Sequence, residues 1–132
     1  MRPQTLGRMT ISRVMEMEAG MPLPMIFPQV TAQDLDRLSG WYSDETLTSD
    51  PATSMVTLSM HSFVVQLDGQ NILIDSCNGN CKQRSLPDVN QLNTPYLENL
   101  ARRGLRPEDI HMVLCSHLHM DHVGWNTRLE YG

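Results

Sequence analysis

The stretch that most constrains this chain lies near its end. An apolar run, Met112-Val113-Leu114-Cys115, leads straight into Ser116-His117-Leu118-His119-Met120-Asp121-His122. Three imidazoles and a carboxylate fall within residues 117–122, and Val123-Gly124 follows. Glycine permits a tight backbone turn there. The pattern predicts a buried strand over residues 110–115 that delivers metal ligands at its C-terminal lip, where open α/β sheets carry their sites. A histidine-rich polar turn arising by accident is the bland alternative. The strand in front and the glycine behind argue against it.

In an extended segment, side chains at i and i+2 point the same way, so His117 and His119 can converge on one ion. Asp121 and His122 are adjacent and tend to diverge. One ion taking all four donors is sterically awkward. Two neighbouring ions, one on His117 and His119 and one on Asp121 and His122, are the easier arrangement. A catalytic zinc usually has three protein ligands and an open position for water, so further ligands must come from elsewhere. Zinc is the leading choice, and imidazole with carboxylate also suits iron, manganese and cobalt.

The run His117-Leu118-His119-Met120-Asp121-His122 resembles the His-x-His-x-Asp-His signature of the metallo-β-lactamase superfamily. Ile72-Leu73-Ile74-Asp75-Ser76 is similar to the strand-then-Asp element that precedes the signature in that family. Residues 61–80, with Cys77-Asn78-Gly79-Asn80, resemble the branch containing quorum-quenching lactonases and phosphotriester-cleaving relatives. The resemblance spans residues 55–125. It implies an α/β (α+β) fold, the N-terminal half of an αββα sandwich, in a family whose members are about twice this length. The chain would then be a fragment, with the later His, bridging Asp and final His supplied elsewhere.

The resemblance also implies a metal-dependent hydrolase with two divalent ions. A shared hydroxide would attack an ester, lactone, amide or phosphoester of a small molecule. His117, His119, Asp121 and His122 would be the ligands. Asp121 would also handle a proton, and Asp75 would orient the ligand segment. The bland reading of Asp75 is a carboxylate that ends a strand and caps a loop. The rival functional reading is an inactive fragment that binds metal weakly or needs a partner half, such as a second copy in a homodimer. Trp125 stands where many relatives have a second glycine, which crowds the metals or forms a pocket wall. Amidohydrolase barrels share His-x-His but usually place Pro-Gly before it. The diiron branch of this fold typically has Glu where His119 stands.

Composition narrows the partners. A net charge of −5 gives no basic footprint for nucleic acid. Arg102, Arg103 and Arg106 are read as the solvated end of a helix, where cations suit the dipole. Cys77, Cys81 and Cys115 are odd in number and are read as free thiols, with Cys115 buried in its strand. That favours a reducing, cytoplasmic setting. The first twenty residues hold Arg2, Arg8, Arg13, Glu16 and Glu18 and show no secretory apolar core. No stretch has the length of a membrane span.

The remaining pattern predicts one domain over residues 1–132. Residues 1–8 are loose. A strand covers 9–17. A proline-rich apolar segment at 19–28 is a loop on the core or a flap over the pocket. Thr31 caps a helix through Leu38, with Asp34 completing a capping box. Residues 41–51 form a surface loop. Residues 55–67 and 71–75 are strands joined by Asp68-Gly69, a type I′ signal, and the second is apolar on both faces and so buried. Residues 76–94 are irregular. Thr94 caps a helix with Pro95 at its first position and Gly104 beyond its end. His61, inside a strand run, receives no role.

Overall fold

The structure is a computed structural model that describes residues 2–41 and 47–129. Among these residues five strands run in chain order: β1 (Gln4–Leu6), β2 (Met9–Pro22), β3 (Met55–Leu67), β4 (Gln70–Ile74) and β5 (Met112–Leu114). They form a single sheet ordered β1-β2-β3-β4-β5. The helices are short: α1 (Leu23–Ile26), α2 (Ala32–Leu38), α3 (Tyr96–Ala101) and α4 (Met120–Val123), with three single 3-10 turns besides. This is the mixed α/β class expected. No helix among the described residues is long and apolar enough to cross a membrane.

The chain divides into two compact units, residues 1–17 with 59–132 and residues 18–58. In the second, Thr31 accepts from the Asp34 backbone N–H at 3.3 Å while the Asp34 carboxylate takes the Thr31 N–H at 3.0 Å, the reciprocal cap expected for α2. The segment at 19–28 is not the loop expected. Strand β2 continues to Pro22, and Leu23–Ile26 makes one helical turn with a proline in its first two positions. Proline is tolerated there because the first-turn N–H groups have no helical partner. Leu23, Phe27, Leu35 and Val56 line an apolar depression of about 620 Å³ in this unit. The loop expected over residues 41–51 falls partly outside the described residues.

In the first unit, residues 4–6 are not loose. They pair antiparallel with residues 9–11 around Gly7, which sits at φ +61°. The β3–β4 hairpin closes at Leu67 and Gln70. Asp68 and Gly69 both have positive φ, 50° and 78°, as a type I′ turn requires. Beyond β4 the chain crosses over through α3 and returns as β5, parallel to β4, with Ile74 opposite Leu114. Thr94 is not the cap of α3. Its N–H and hydroxyl both donate to Asn80 Oδ1, and Pro95 takes the capping position without a side-chain bond.

The core gathers Val14, Val64, Leu73, Cys77, Tyr96, Leu100 and Leu105, with Leu97, Ile110 and Trp125 against it. Strand β4 buries only Leu73, because its other residues stay half-covered or exposed. Strand β5 departs further from expectation: Met112, Val113 and Leu114 are all exposed. Among the described residues it is the last strand of the sheet and pairs on one side only. Cys115 is half-buried rather than buried.

All three cysteines are free thiols, as expected. Burial pushes the Cys77 thiol up to about 12, despite a hydrogen bond with Ser62 that favours the thiolate. Thiolates, not thiols, react. A thiol-specific reagent at neutral pH should therefore label exposed Cys81 in the folded protein and reach Cys77 only after denaturation. Mass spectrometry of the labelled peptides checks this, and equal labelling of both would contradict the burial.

Candidate metal centre

The candidate ligands stand where β5 gives way to α4. Residues 117–119 are not yet helical, and His119 is the N-cap of α4 with extended backbone, φ −67° and ψ 155°. His117 and His119 stand in a bent, non-helical segment. Their rings meet with His117 Nε2 3.2 Å from His119 Nδ1. Asp121 and His122 lie in the helical turn that follows. They do not diverge: Asp121 Oδ2 is 3.3 Å from His122 Nε2. The two pairs adjoin, since the His117 and His122 ring centres are 3.9 Å apart.

Zinc bonds of 2.0–2.1 Å at tetrahedral angles put two donors about 3.3 Å apart. Both donor pairs have that spacing, so each fits as two ligands of one ion. Among the described residues no group of three His, Cys, Asp or Glu side chains is arranged to hold a metal by itself. Each pair is one protein ligand short of the usual catalytic set.

Asp75 stands behind the cluster. It ends β4 in a left-handed conformation, φ 56°, which Asp tolerates better than most residues. Its N–H donates to Leu114 O, and its carboxylate reaches across to the ligand segment. Ser116 donates its N–H to Oδ1 at 2.7 Å and its hydroxyl to Oδ2 at 2.8 Å. His122 Nδ1 lies 2.9 Å from the same Oδ2. With its one proton given to Asp75, Ser116 Oγ can only accept from His117 Nδ1, 3.1 Å away. An Nδ1–H on His117 and on His122 satisfies these contacts and turns Nε2 of His117 to His119 and Nε2 of His122 to Asp121. One carboxylate thus contacts His122 directly and His117 through Ser116. Partial burial alone would raise the Asp75 carboxyl. The hydrogen bonds from Ser116 N–H, His122 and the Ser116 hydroxyl outweigh it and hold the group below its ordinary value.

The turn after Asp75 is laced to α4 through backbone. Ser76 N–H donates to His122 O at 2.8 Å, Gly124 N–H to Cys77 O at 2.7 Å and Trp125 N–H to Ser76 O at 2.9 Å. Trp125 spends its ring on other partners. It stacks on Tyr96, ring centres 5.2 Å apart, and donates its indole N–H to Glu16 at 2.8 Å. The sequence reading gave Ser116 and Glu16 no role. For Glu16 a signal existed: Ser12, Val14 and Glu16 alternate along β2 and all point inward. His61 turns its Nδ1 to Ser59 O within its own strand.

Residues 57–130 match the family profile described as the metallo-beta-lactamase superfamily. Two N-acyl homoserine lactonases named AiiB, from Agrobacterium fabrum (strain C58) and Rhizobium rhizogenes (strain K84), are each 31% identical over 84 residues. The matches cover 55% of this chain and 30% of the relatives. The chain therefore spans about a third of the length of the curated relatives it matches. Among solved structures, a hydrolase of the beta-lactamase superfamily, AbOPH, superposes with a TM-score of 0.64 at 27% identity, over 92% of this chain and 37% of that one. AidC, a dizinc quorum-quenching lactonase, superposes at 0.65 over 93% of this chain and 37% of its own, at 18% identity, a likeness of fold alone. With the profile covering more than half of its residues, the chain belongs to the metallo-β-lactamase superfamily.

Proposed function

We propose that this chain carries the first ligand cluster of a binuclear metal-dependent hydrolase that opens an ester or lactone bond in a small molecule. One observation carries the reading: two adjoining donor pairs, spaced at 3.2 and 3.3 Å, with Asp75 and Ser116 in contact with the histidines from behind. His117 and His119 hold one divalent ion and Asp121 and His122 the second, zinc being the leading choice. When bound, such a pair of ions supplies hydroxide at neutral pH and polarises the scissile oxygen. The chain's own part is to aim the Nε2 atoms of His117 and His122. Asp121, with nearly half of its side chain exposed, is the carboxylate placed to take up a proton during turnover. Lactones and esters stand ahead of amides and phosphoesters because both curated relatives are named lactonases. The three free thiols support a reducing, cytoplasmic setting.

A second reading has its own support. With two donors per ion, the cluster alone binds metal weakly and turns over no substrate until further ligands join it. Metal content after dialysis, with a His119→Ala control and an N-acyl homoserine lactone ring-opening assay, tests both. The expected result is bound zinc approaching about two equivalents, with the ion on His117 lost in the control. Metal lost in the control without lactone opening favours the second reading. Near-zero metal in both proteins likewise favours the second reading, whereas equal and substantial metal in both sinks the assignment of the cluster.

A further inference from the structure

Glu16 is the buried carboxylate that the ligand cluster does not use. It is 3% exposed, far from the sequence of the cluster, and pairs with no cation among the described residues. Four N–H groups converge on it instead. Oε2 accepts from the Asn78 backbone N–H at 2.8 Å and the Asn78 side-chain amide at 3.0 Å. Oε1 accepts from the Gly79 N–H at 2.9 Å and the Trp125 indole at 2.8 Å. A buried charge is tolerated when hydrogen bonds replace its water in this way.

The partners are not scattered. Asn78 and Gly79 belong to the turn after Asp75, and Trp125 follows α4. A carboxylate is thus shared between the two segments that meet at the cluster. The segments also touch directly through Gly124 N–H to Cys77 O. Asn78 Oδ1 is buried without a partner. Turning the amide over would aim that oxygen at the carboxylate and lose the Nδ2–H bond, so the orphaned acceptor is tolerated to keep the donor on Glu16.

We propose that Glu16 is a positioning residue of the metal centre, clamping the 77–79 turn to Trp125 and so setting where Asp121 and His122 stand. The proposal rests on reading Asp121 and His122 as a ligand pair. Glutamine cannot replace this glutamate. Each carboxylate oxygen accepts two N–H groups, so an amide in either orientation points its NH2 at two donors.

Cobalt(II) titration of the full chain, followed by its visible ligand-field bands, tests the inference together with thermal melts. Glu16→Gln should weaken cobalt binding at least about tenfold and change the band pattern at temperatures where the variant is folded. Trp125→Phe keeps the ring on Tyr96 and removes one donor, and it should shift the same bands less. It carries the test if Glu16→Gln does not fold. A purely structural Glu16 would lower the melting temperature and leave affinity and bands of the folded protein as in the parent, which overturns the proposal. The His119→Ala control separates this from failure of the cluster itself: if that variant also binds cobalt like the parent, the ligand assignment has failed and the clamp with it.

Discussion

Replacing Gly124 with alanine should destabilise the protein by about 3 kcal/mol or more, at the upper end of what overpacking costs. The backbone angle is not the obstacle, since Gly124 sits at φ −63°, where alanine is content. The obstacle is space. A Cβ there would lie 1.8 Å from Asn78 O, 1.9 Å from Asn78 C and 2.5 Å from Gly79 N. All three are backbone atoms, so no rotamer change relieves the clash. The approach is reciprocal: a Cβ on Gly79, already at φ +79°, would meet Gly124 C and O at 2.7 Å. Neither side can retreat cheaply. Glu16 holds Asn78 and Gly79, and Gly124 N–H is bonded to Cys77 O. A Gly40→Ala control meets nothing within 4 Å and should shift stability by no more than about 0.5 kcal/mol. Urea denaturation of the three proteins decides it. A Gly124→Ala midpoint equal to that of the parent would mean the two turns are not in contact.

That contact shows where sequence reading works and where it stops. Features set by neighbours along the chain were legible. Thr31 and Asp34 cap α2 because the reciprocal bonds need only a four-residue spacing. Asp68-Gly69 closes its hairpin because few residue pairs accept two positive φ values. His117 and His119 do meet, as their spacing suggested, though in a bent segment rather than a strand. Features set by what lies across the molecule were not. An apolar run such as Met112-Val113-Leu114 looks buried, yet burial depends on whether anything packs on the strand, and here all three are exposed. Thr94 has the character of a cap, but Asn80 from the preceding turn takes its hydroxyl. Asp121 and His122 looked divergent until α4 bent the chain and brought their tips within 3.3 Å. Glu16 looked like one charge among several near the N-terminus. Only its register with Val14 placed it inward, and no spacing rule links residue 16 to residues 78, 79 and 125.

Asp75→Asn should cost more in metal affinity than in stability, and the reason is a proton. Asparagine suits the left-handed backbone at φ 56° nearly as well as aspartate, so the turn survives. Its Oδ1 can still accept the Ser116 N–H. Its NH2 then replaces the Oδ2 that faces the Ser116 hydroxyl and His122 Nδ1. An amide N–H cannot accept the His122 Nδ1 proton. The ring relaxes to the Nε2–H tautomer, and the atom facing Asp121 loses the lone pair that a metal needs. The Ser116 hydroxyl, no longer donating to a carboxylate, is free to donate to His117 Nδ1, which drives that ring the same way. Losing such a partner typically weakens metal binding about 10–100-fold, while the change in stability should stay within about 1–2 kcal/mol. Nitrogen-15 spectra of the histidine rings report the tautomers directly, and zinc competition titrations report the affinity. The expected pattern is a change of tautomer at His122 with a matching loss of affinity in a protein that melts near the parent. Unchanged ring spectra and parental affinity would show that Asp75 caps its own turn and does not set the ligands.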